Sequence, residues 1–179
     1  MKLQETVISS ESLYQGKIIN LRRDVVRLEN GGEALREVIE HPGGVGILPL
    51  DHDGMVYMVR QYRHGARGVE LEIPAGKLNY GEDALECGKR ELREETGAVA
   101  EKYTFLGELY PSPGYVGEII YMYMAENLAF GDTDPDEDEF VETVKIPFDK
   151  ALEMVMNGEI KDAKTQAAIL KAAVMRNRK

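Results

Sequence analysis

Three glutamates within one short segment offer the clearest chemistry in this 179-residue sequence. Residues 82–96 follow a helical pattern and end before Gly97, a residue suited to a left-handed helix cap. At about 100° per residue, Glu91, Glu94 and Glu95 fall on one face of that helix. Carboxylates at this spacing repel one another, so a positive charge is expected beside them.

Two sources of positive charge fit these carboxylates. Neighbouring arginine and lysine side chains, together with solvent, are sufficient for an ordinary acidic helix face. A divalent cation such as magnesium, which prefers oxygen ligands, would bind the carboxylates directly. Ala84, Cys87 and Gly88 on the same face are small and allow other groups to approach closely. The residues of the helix by themselves leave both sources open.

The three glutamates belong to a longer pattern of glycine and charged residues. The pattern runs Gly76-x5-Glu82-x7-Arg90-Glu91-Leu92-x-Glu94-Glu95-x-Gly97-Ala98. It resembles the Nudix box of hydrolases that act on nucleoside diphosphates linked to another group. Ala98 departs from the box, because the family usually has a larger aliphatic residue there. This position concerns packing after the helix rather than metal ligation.

The resemblance implies a role for each residue of the box. Glu91 and Glu95 would ligate magnesium, for which manganese can substitute, and the backbone carbonyl of Ala75 would be a further ligand. Glu94 would assist in ligation, and Arg90 would orient the glutamates. Bound magnesium would neutralise a diphosphate and acidify a water. It would also explain how a chain with a net charge of −10 acts on an anionic substrate.

An acidic run at 132–139 (DTDPDEDE) is a second candidate for chemistry. Taken alone, such a run is typical of a solvated loop. The Nudix resemblance extends to ADP-ribose pyrophosphatases, in which a loop at this position supplies a catalytic base and a metal-binding carboxylate. The strand that follows aligns Glu137 and Glu139 with these roles, without deciding which of the two is the base.

Residues outside the box resemble the same ADP-ribose pyrophosphatase subfamily. Pro113 is similar to the proline that marks the subfamily, although a rigid turn also accounts for it. The run from Arg60 into the box is similar as well. It contains Arg63, a candidate phosphate or ribose contact, and Glu72, a candidate contact to substrate or to metal-bound water. An ordinary surface charge is the alternative interpretation of Arg63.

The elements that must position these residues divide the chain into two parts. Residues 1–42 predict a small antiparallel β domain, because strands at 17–28 and 33–40 flank an Asn-Gly-Gly turn. In the subfamily that these residues resemble, this domain is exchanged across a homodimer and completes the partner's substrate pocket. Arg36 is then the candidate contact in trans. A plain sheet edge accounts for the two strands equally well.

Residues 43–179 form the predicted hydrolase domain. Its predicted strands are 45–50 and 55–62, joined as a second hairpin, followed by 103–110, 118–124 and 140–146. Helices are predicted at about 149–157 and 162–175, the latter as a packing helix. The expected fold class is α/β (α+β), and the resemblance implies the Nudix fold, a mixed β-sheet between helices.

Composition and charge exclude several function classes. A net charge of −10 disfavours a nucleic-acid partner. The sequence has no apolar run of about 18 residues and no signal-peptide pattern, so no membrane partner is expected. A single cysteine, Cys87, excludes an internal disulfide and a cysteine-rich zinc cluster. These features favour a cytoplasmic protein.

The activity expected from the resemblance is magnesium-dependent hydrolysis of the pyrophosphate bond of ADP-ribose, which gives AMP and ribose 5-phosphate. Another nucleoside diphosphate sugar, such as GDP-mannose or ADP-glucose, is the alternative substrate. A non-catalytic nucleotide sensor is a third possibility. Because the chain has no tryptophan, Tyr14, Tyr62 or an arginine would have to stack on the base.

Overall fold

The computed structural model describes residues 3–133 and 140–177. The described chain groups into two compact units. One contains the residues up to Gly43 together with Tyr110–Ile119, and the other contains Gly44–Leu109 and the residues from Ile120 onward. The division into 1–42 and 43–179 stays a prediction, to which the structure adds that Tyr110–Ile119 groups with the N-terminal strands.

The N-terminal unit contains a three-stranded antiparallel sheet in the order β1-β2-β3. Its strands are β1 (Thr6–Gln15), β2 (Asn20–Arg27) and β3 (Glu33–Glu40). The predicted antiparallel β domain is therefore confirmed, with β2 and β3 as its hairpin. Strand β1 was not predicted, because all ten of its residues are exposed and two bulges interrupt its register. Both features weaken the alternating pattern by which a strand is recognised.

The described residues of the second unit form two sheets and three helices. Its strands are β4 (Gly44–Pro49), β5 (Met55–Arg63), β6 (Gly68–Glu72), β7 (Ala75–Lys77), β8 (Ala98–Leu109), β9 (Ile120–Phe130) and β10 (Val141–Pro147). Its helices are α1 (Ala84–Thr96), α2 (Phe148–Met156) and α3 (Ala163–Arg176). The four-stranded sheet has the order β7-β4-β9-β8 and is mixed, because β4 is parallel to β9. The three-stranded sheet β10-β5-β6 is antiparallel.

Strands β4 and β5 do not form the second hairpin that the sequence analysis predicted. β4 pairs with β7 and β9, whereas β5 pairs with β6 and β10. Around the intervening turn, an isolated antiparallel bridge joins Leu50 to Val56. Every residue of β4 is buried, which is typical of a central strand covered on both faces.

Alternate side chains of β4 enter two separate hydrophobic clusters. Val45 and Ile47 pack in one cluster with Leu92 of α1. Leu48 packs in the other cluster with Ile169 of α3. The predicted mixed sheet between helices is therefore confirmed. In the described part of the chain, no helix is long and apolar enough to span a membrane.

Candidate metal and substrate site

Helix α1 presents the glutamates, and both of its ends are capped. The Asp83 side chain accepts hydrogen bonds from two backbone N–H groups of the first turn, at 2.9 and 3.1 Å. Gly97 adopts φ = 70°, the left-handed conformation expected from its position, and its N–H donates to the carbonyl of Arg93. The helix begins at Ala84, two residues later than predicted, because Asp83 serves as the cap.

Two of the glutamates lie on the buried side of α1. Glu91 is 7% exposed and Glu95 is 3% exposed. Gly88 lies on the same side, where an added Cβ would stand 2.6 Å from Ile47 Cδ1 of β4. The close approach expected at the small residues is therefore made by β4, which holds the helix tightly against the sheet.

Glu91 and Glu95 converge on two adjacent residues of β7. A Cβ at Gly76 would overlap the carboxylate group of Glu91, so glycine is needed at this position. The backbone N–H of Ala75 donates to Glu95 Oε2 at 3.1 Å. Thr143 Oγ1 of β10 donates to the backbone carbonyl of Glu95 at 2.9 Å, which fixes the last turn of the helix. The buried carboxylates of Glu91 and Glu95 therefore both contact β7.

Arg90 supplies positive charge to the carboxylates. Its Nη1 lies 2.8 Å from Glu91 Oε1 and 2.9 Å from Glu94 Oε2, and its Nη2 lies 3.6 Å from Glu82 Oε1. Burial alone would lower the pKa of Arg90, but the charges of Glu91 and Glu94 outweigh burial and raise it. The first of the two sources of charge considered above, a neighbouring arginine, is therefore present.

The donor atoms at this place suit a hard divalent cation. Carboxylate oxygens of Glu91 and Glu95 and the backbone carbonyl of Ala75 are ligands of the kind that Mg²⁺ and Mn²⁺ prefer. Among residues 3–133 and 140–177, no group of three or more acidic, histidine or cysteine side chains has converged on one point as a metal site. Glu137 and Glu139, the remaining predicted carboxylates, lie outside the described residues. The donor chemistry fits such a cation, and the ligand roles of Glu91, Glu95 and the Ala75 carbonyl stay predictions.

A second polar cluster surrounds Glu72, which is 2% exposed. Arg63 Nε and Nη2 donate to the two carboxylate oxygens of Glu72 at 2.8 and 2.9 Å. Lys164 Nζ donates to the same carboxylate. Burial alone would raise the pKa of Glu72, but the hydrogen bonds from Arg63 and the charge of Lys164 hold it below its ordinary value. Glu72 is therefore a charged, doubly paired carboxylate.

The Glu72 cluster borders an open cleft of about 530 Å³. Arg63 lines this cleft with 41% of its side chain exposed, so its guanidinium is accessible to a ligand. Asp162 and Lys164 also line it, although the sequence analysis described their helix only as a packing element. The signal that could have indicated them is the Asp-x-x-Thr capping pattern at the start of α3.

Arg36 and Pro113 lie in the N-terminal unit. Arg36, on β3, forms an ion pair with Glu5, and its Nε donates to Glu5 Oε2 at 3.1 Å. Pro113 is exposed in a segment that the N–H of Ile39 anchors by donating to the carbonyl of Tyr115 at 2.8 Å. The roles predicted for Arg36 in trans and for Pro113 at the substrate stay predictions.

The chain belongs to the Nudix family. The NUDIX domain model matches residues 40–168. A second model, the nucleoside diphosphate sugar hydrolase N-terminal domain, matches residues 5–39. The family expected from the box is confirmed, and the two matches together cover most of the sequence.

Three relatives of known name are similar to this chain over most of its length. The ADP-ribose pyrophosphatase of Bacillus subtilis (strain 168) is 41% identical, over 93% of this chain and 91% of its own. The methanol dehydrogenase activator of Bacillus methanolicus is 38% identical, with the same coverage of 93% and 91%. The GDP-mannose pyrophosphatase of Yersinia pestis (strain Pestoides F) is 38% identical, over 74% of this chain and 72% of its own.

A solved structure also matches. It is described as the crystal structure of ADP compounds hydrolase, and it aligns with a TM-score of 0.86 over 99% of this chain and 97% of that one. The sequence identity is 23%, so this match speaks for the fold. The expected Nudix fold is confirmed.

Proposed function

We propose that this protein is a magnesium-dependent Nudix hydrolase that cleaves the pyrophosphate bond of ADP-ribose to AMP and ribose 5-phosphate. The observation that carries the proposal is the convergence of Glu91 and Glu95 on Ala75 and Gly76. The 41% identity to an ADP-ribose pyrophosphatase supports the choice of substrate.

Each residue of the box has its own proposed role in the reaction. Glu91, Glu95 and the Ala75 carbonyl would hold magnesium, with Glu94 assisting. When bound, the metal supplies neutralisation of the diphosphate charge and an acidified water. Arg90 keeps neighbouring carboxylates oriented and limits their mutual repulsion.

The general base is proposed to come from the acidic run, from Glu137 or Glu139. A carboxylate that ligates the metal or is paired with a cation is less available to accept a proton from water. Glu94 is paired with Arg90 at 2.9 Å, and Glu72 is paired with Arg63 and Lys164. These pairings favour a base outside the helix and the Glu72 cluster.

Substrate contacts are proposed from two places: the cleft beside Glu72, and the N-terminal residues of the second subunit in a homodimer. Arg63, exposed at the cleft and held in orientation by Glu72, suits a phosphate or ribose. In the proposed cytoplasmic homodimer, residues 1–42 are exchanged, Arg36 contacts the partner's substrate, and Pro113 shapes the pocket. The match of residues 5–39 to a nucleoside diphosphate sugar hydrolase N-terminal domain supports a part for this unit in the function.

A second candidate is hydrolysis of another nucleoside diphosphate sugar by the same machinery. The similarity to a GDP-mannose pyrophosphatase favours it. The Nudix box acts on the diphosphate that ADP-ribose and GDP-mannose share. The choice between the two sugars therefore depends on residues outside the box.

The test is a coupled assay in which a phosphatase releases phosphate from the monoester products and leaves intact ADP-ribose untouched. Glu95→Gln should lower turnover by about 100-fold or more, because a metal ligand loses its charge. Glu86→Gln is the matched control, since Glu86 lies on the same helix with 66% of its side chain exposed. Equal turnover of the two variants would contradict the metal assignment.

The substrate is tested by running ADP-ribose and GDP-mannose side by side with the wild type. A higher kcat/KM for ADP-ribose is expected. If GDP-mannose is hydrolysed and ADP-ribose is not, the proposed catalytic residues would stand, and the proposed substrate would be wrong. A wild type that is inert towards both would favour a regulatory role of the kind for which the Bacillus methanolicus relative is named.

A further inference from the structure

The first turn of α3 is hydrogen-bonded to the segment that leads into β7. Asp162 caps this helix, and its carboxylate accepts from the N–H of Thr165 at 2.9 Å and from the Thr165 hydroxyl at 2.5 Å. The same hydroxyl oxygen accepts a hydrogen bond from the N–H of Ile73 at 2.9 Å. Thr165 and Ile73 are both 0% exposed, so water cannot replace this bond.

The bond to Ile73 is not required by the helix cap. A cap needs the Asp162 side chain and a backbone N–H of the first turn, and the N–H of Thr165 already fulfils this need. The hydroxyl of Thr165 adds a second connection, which joins α3 to a residue 92 positions earlier in the chain. We therefore expect this hydrogen bond to affect the backbone at Ile73 rather than the helix.

The residues around Ile73 are each held by a different partner. Lys164, next to Thr165, donates to Glu72 and also to Asp162, the latter at 3.0 Å. The carbonyl of Pro74 accepts from the N–H of Ile47 at 2.9 Å. Together with the bonds at Ile73 and Ala75, these contacts fix four consecutive residues, 72–75.

Gly46 of β4 gives this arrangement the space that it needs. A Cβ at Gly46 would stand 2.9 Å from Ile73 Cδ1 and 3.6 Å from Lys164 Cδ. Gly46 is also the β4 residue that pairs with Ala75. The segment 73–75, which ends at the predicted carbonyl ligand, is therefore hydrogen-bonded to α3 at Ile73 and to Glu95 at Ala75.

We propose that Thr165 is a positioning residue for the metal site, through the bond of its hydroxyl to Ile73. Ile73 stands two residues before Ala75, whose carbonyl is the proposed ligand and whose N–H binds Glu95. Release of Ile73 frees the backbone on which the ligand oxygen is carried. This inference rests on the proposed function, because it assumes that residues 75 and 76 border a metal.

The test compares Thr165→Val with Thr165→Ser in the full-length protein. Valine has the shape of threonine but no hydroxyl, whereas serine keeps the hydroxyl. Ile169→Val, a buried change on the same helix that removes no hydrogen bond, controls for a general loss of stability. Two properties are measured: hydrogen exchange of the backbone amides of Ile73, Ala75 and Gly76 without metal, and the Kd for Mn²⁺ by electron paramagnetic resonance.

Thr165→Val should raise the exchange rate of the Ile73, Ala75 and Gly76 amides by about 10-fold and weaken Mn²⁺ binding by about 10-fold. Thr165→Ser should stay within about 2-fold of the wild type in both properties, and so should Ile169→Val at these residues. If the valine variant does not fold, Thr165→Ala takes its place, since it removes the same hydroxyl without a new branched methyl.

Three results would overturn the proposal. Unchanged exchange of the Ile73, Ala75 and Gly76 amides in Thr165→Val would show that the hydroxyl does not hold the segment that leads into β7. Unchanged Mn²⁺ affinity, in a variant whose strand is loosened, would show that the strand does not position the ligand. A wild type that binds no Mn²⁺ would remove the metal site itself, and this failure is distinguishable because it appears before any substitution is made.

Discussion

Replacement of Gly76 by alanine adds only one methyl group, but it should lower both the catalytic rate and the stability of the protein. The added Cβ would overlap the Cγ, Cδ and Oε1 atoms of Glu91. Because non-bonded carbon atoms lie about 3.5–4.0 Å apart, the carboxylate has to move by more than about 1 Å. A displacement of about 1 Å at a catalytic group costs on the order of 100-fold in rate. Overpacking of this kind also lowers the free energy of unfolding by about 1–3 kcal/mol.

Gly65→Ala is the matched control, because a Cβ at Gly65 would meet no atom within 4 Å. We expect Gly76→Ala to lose about 100-fold in kcat and to bind Mn²⁺ more weakly, while Gly65→Ala keeps both values. Urea unfolding of the two variants measures the stability loss separately. Equal kcat and equal Mn²⁺ affinity in the two variants would refute the argument that Glu91 needs the space at Gly76.

Two further predictions follow from the titration of buried groups. The pKa of Glu72 is lowered from its ordinary 4.5, so its ion pairs stabilise the fold above about pH 4.5, and this stability is lost as the pH falls through the lower folded value. The free energy of unfolding, measured in urea, should therefore fall more steeply below pH 4.5 for the wild type than for Glu72→Gln. Parallel plots of this free energy against pH would contradict the prediction. Burial raises the pKa of the Cys87 thiol to about 12. Iodoacetamide at pH 8 should therefore modify Cys87 in urea and leave the folded protein unmodified, as mass spectrometry would show.

Features that depend on neighbours in sequence could be predicted. Glu91 and Glu95 lie one helical turn apart, so their shared face follows from helix geometry alone. Gly97 as a left-handed cap is likewise a local property, and the structure confirms it with φ = 70°. The C-terminal end of α1 was therefore predicted correctly, whereas the helix begins two residues later than predicted, after the Asp83 cap.

Features that depend on distant partners could not be predicted. A turn between β4 and β5 favours a local hairpin, but β4 pairs in parallel with β9, far along the chain. The bonds from Lys164 to Glu72 and from Ile73 to Thr165 each join residues 92 positions apart. Strands β6 and β7, of five and three residues, are too short for a periodic pattern. Tertiary contacts decide all of these features.

The central claim is that a divalent cation binds between Glu91, Glu95 and residues 75 and 76. The most direct test is a titration of the ¹⁵N-labelled, deuterated protein with substoichiometric Mn²⁺, whose unpaired electrons broaden the resonances of nearby amides. The amide signals of Ala75 and Gly76 should disappear first, and they should persist in Glu95→Gln at the same Mn²⁺ concentration. Signals of Ala75 and Gly76 that remain sharp while others vanish would contradict the account.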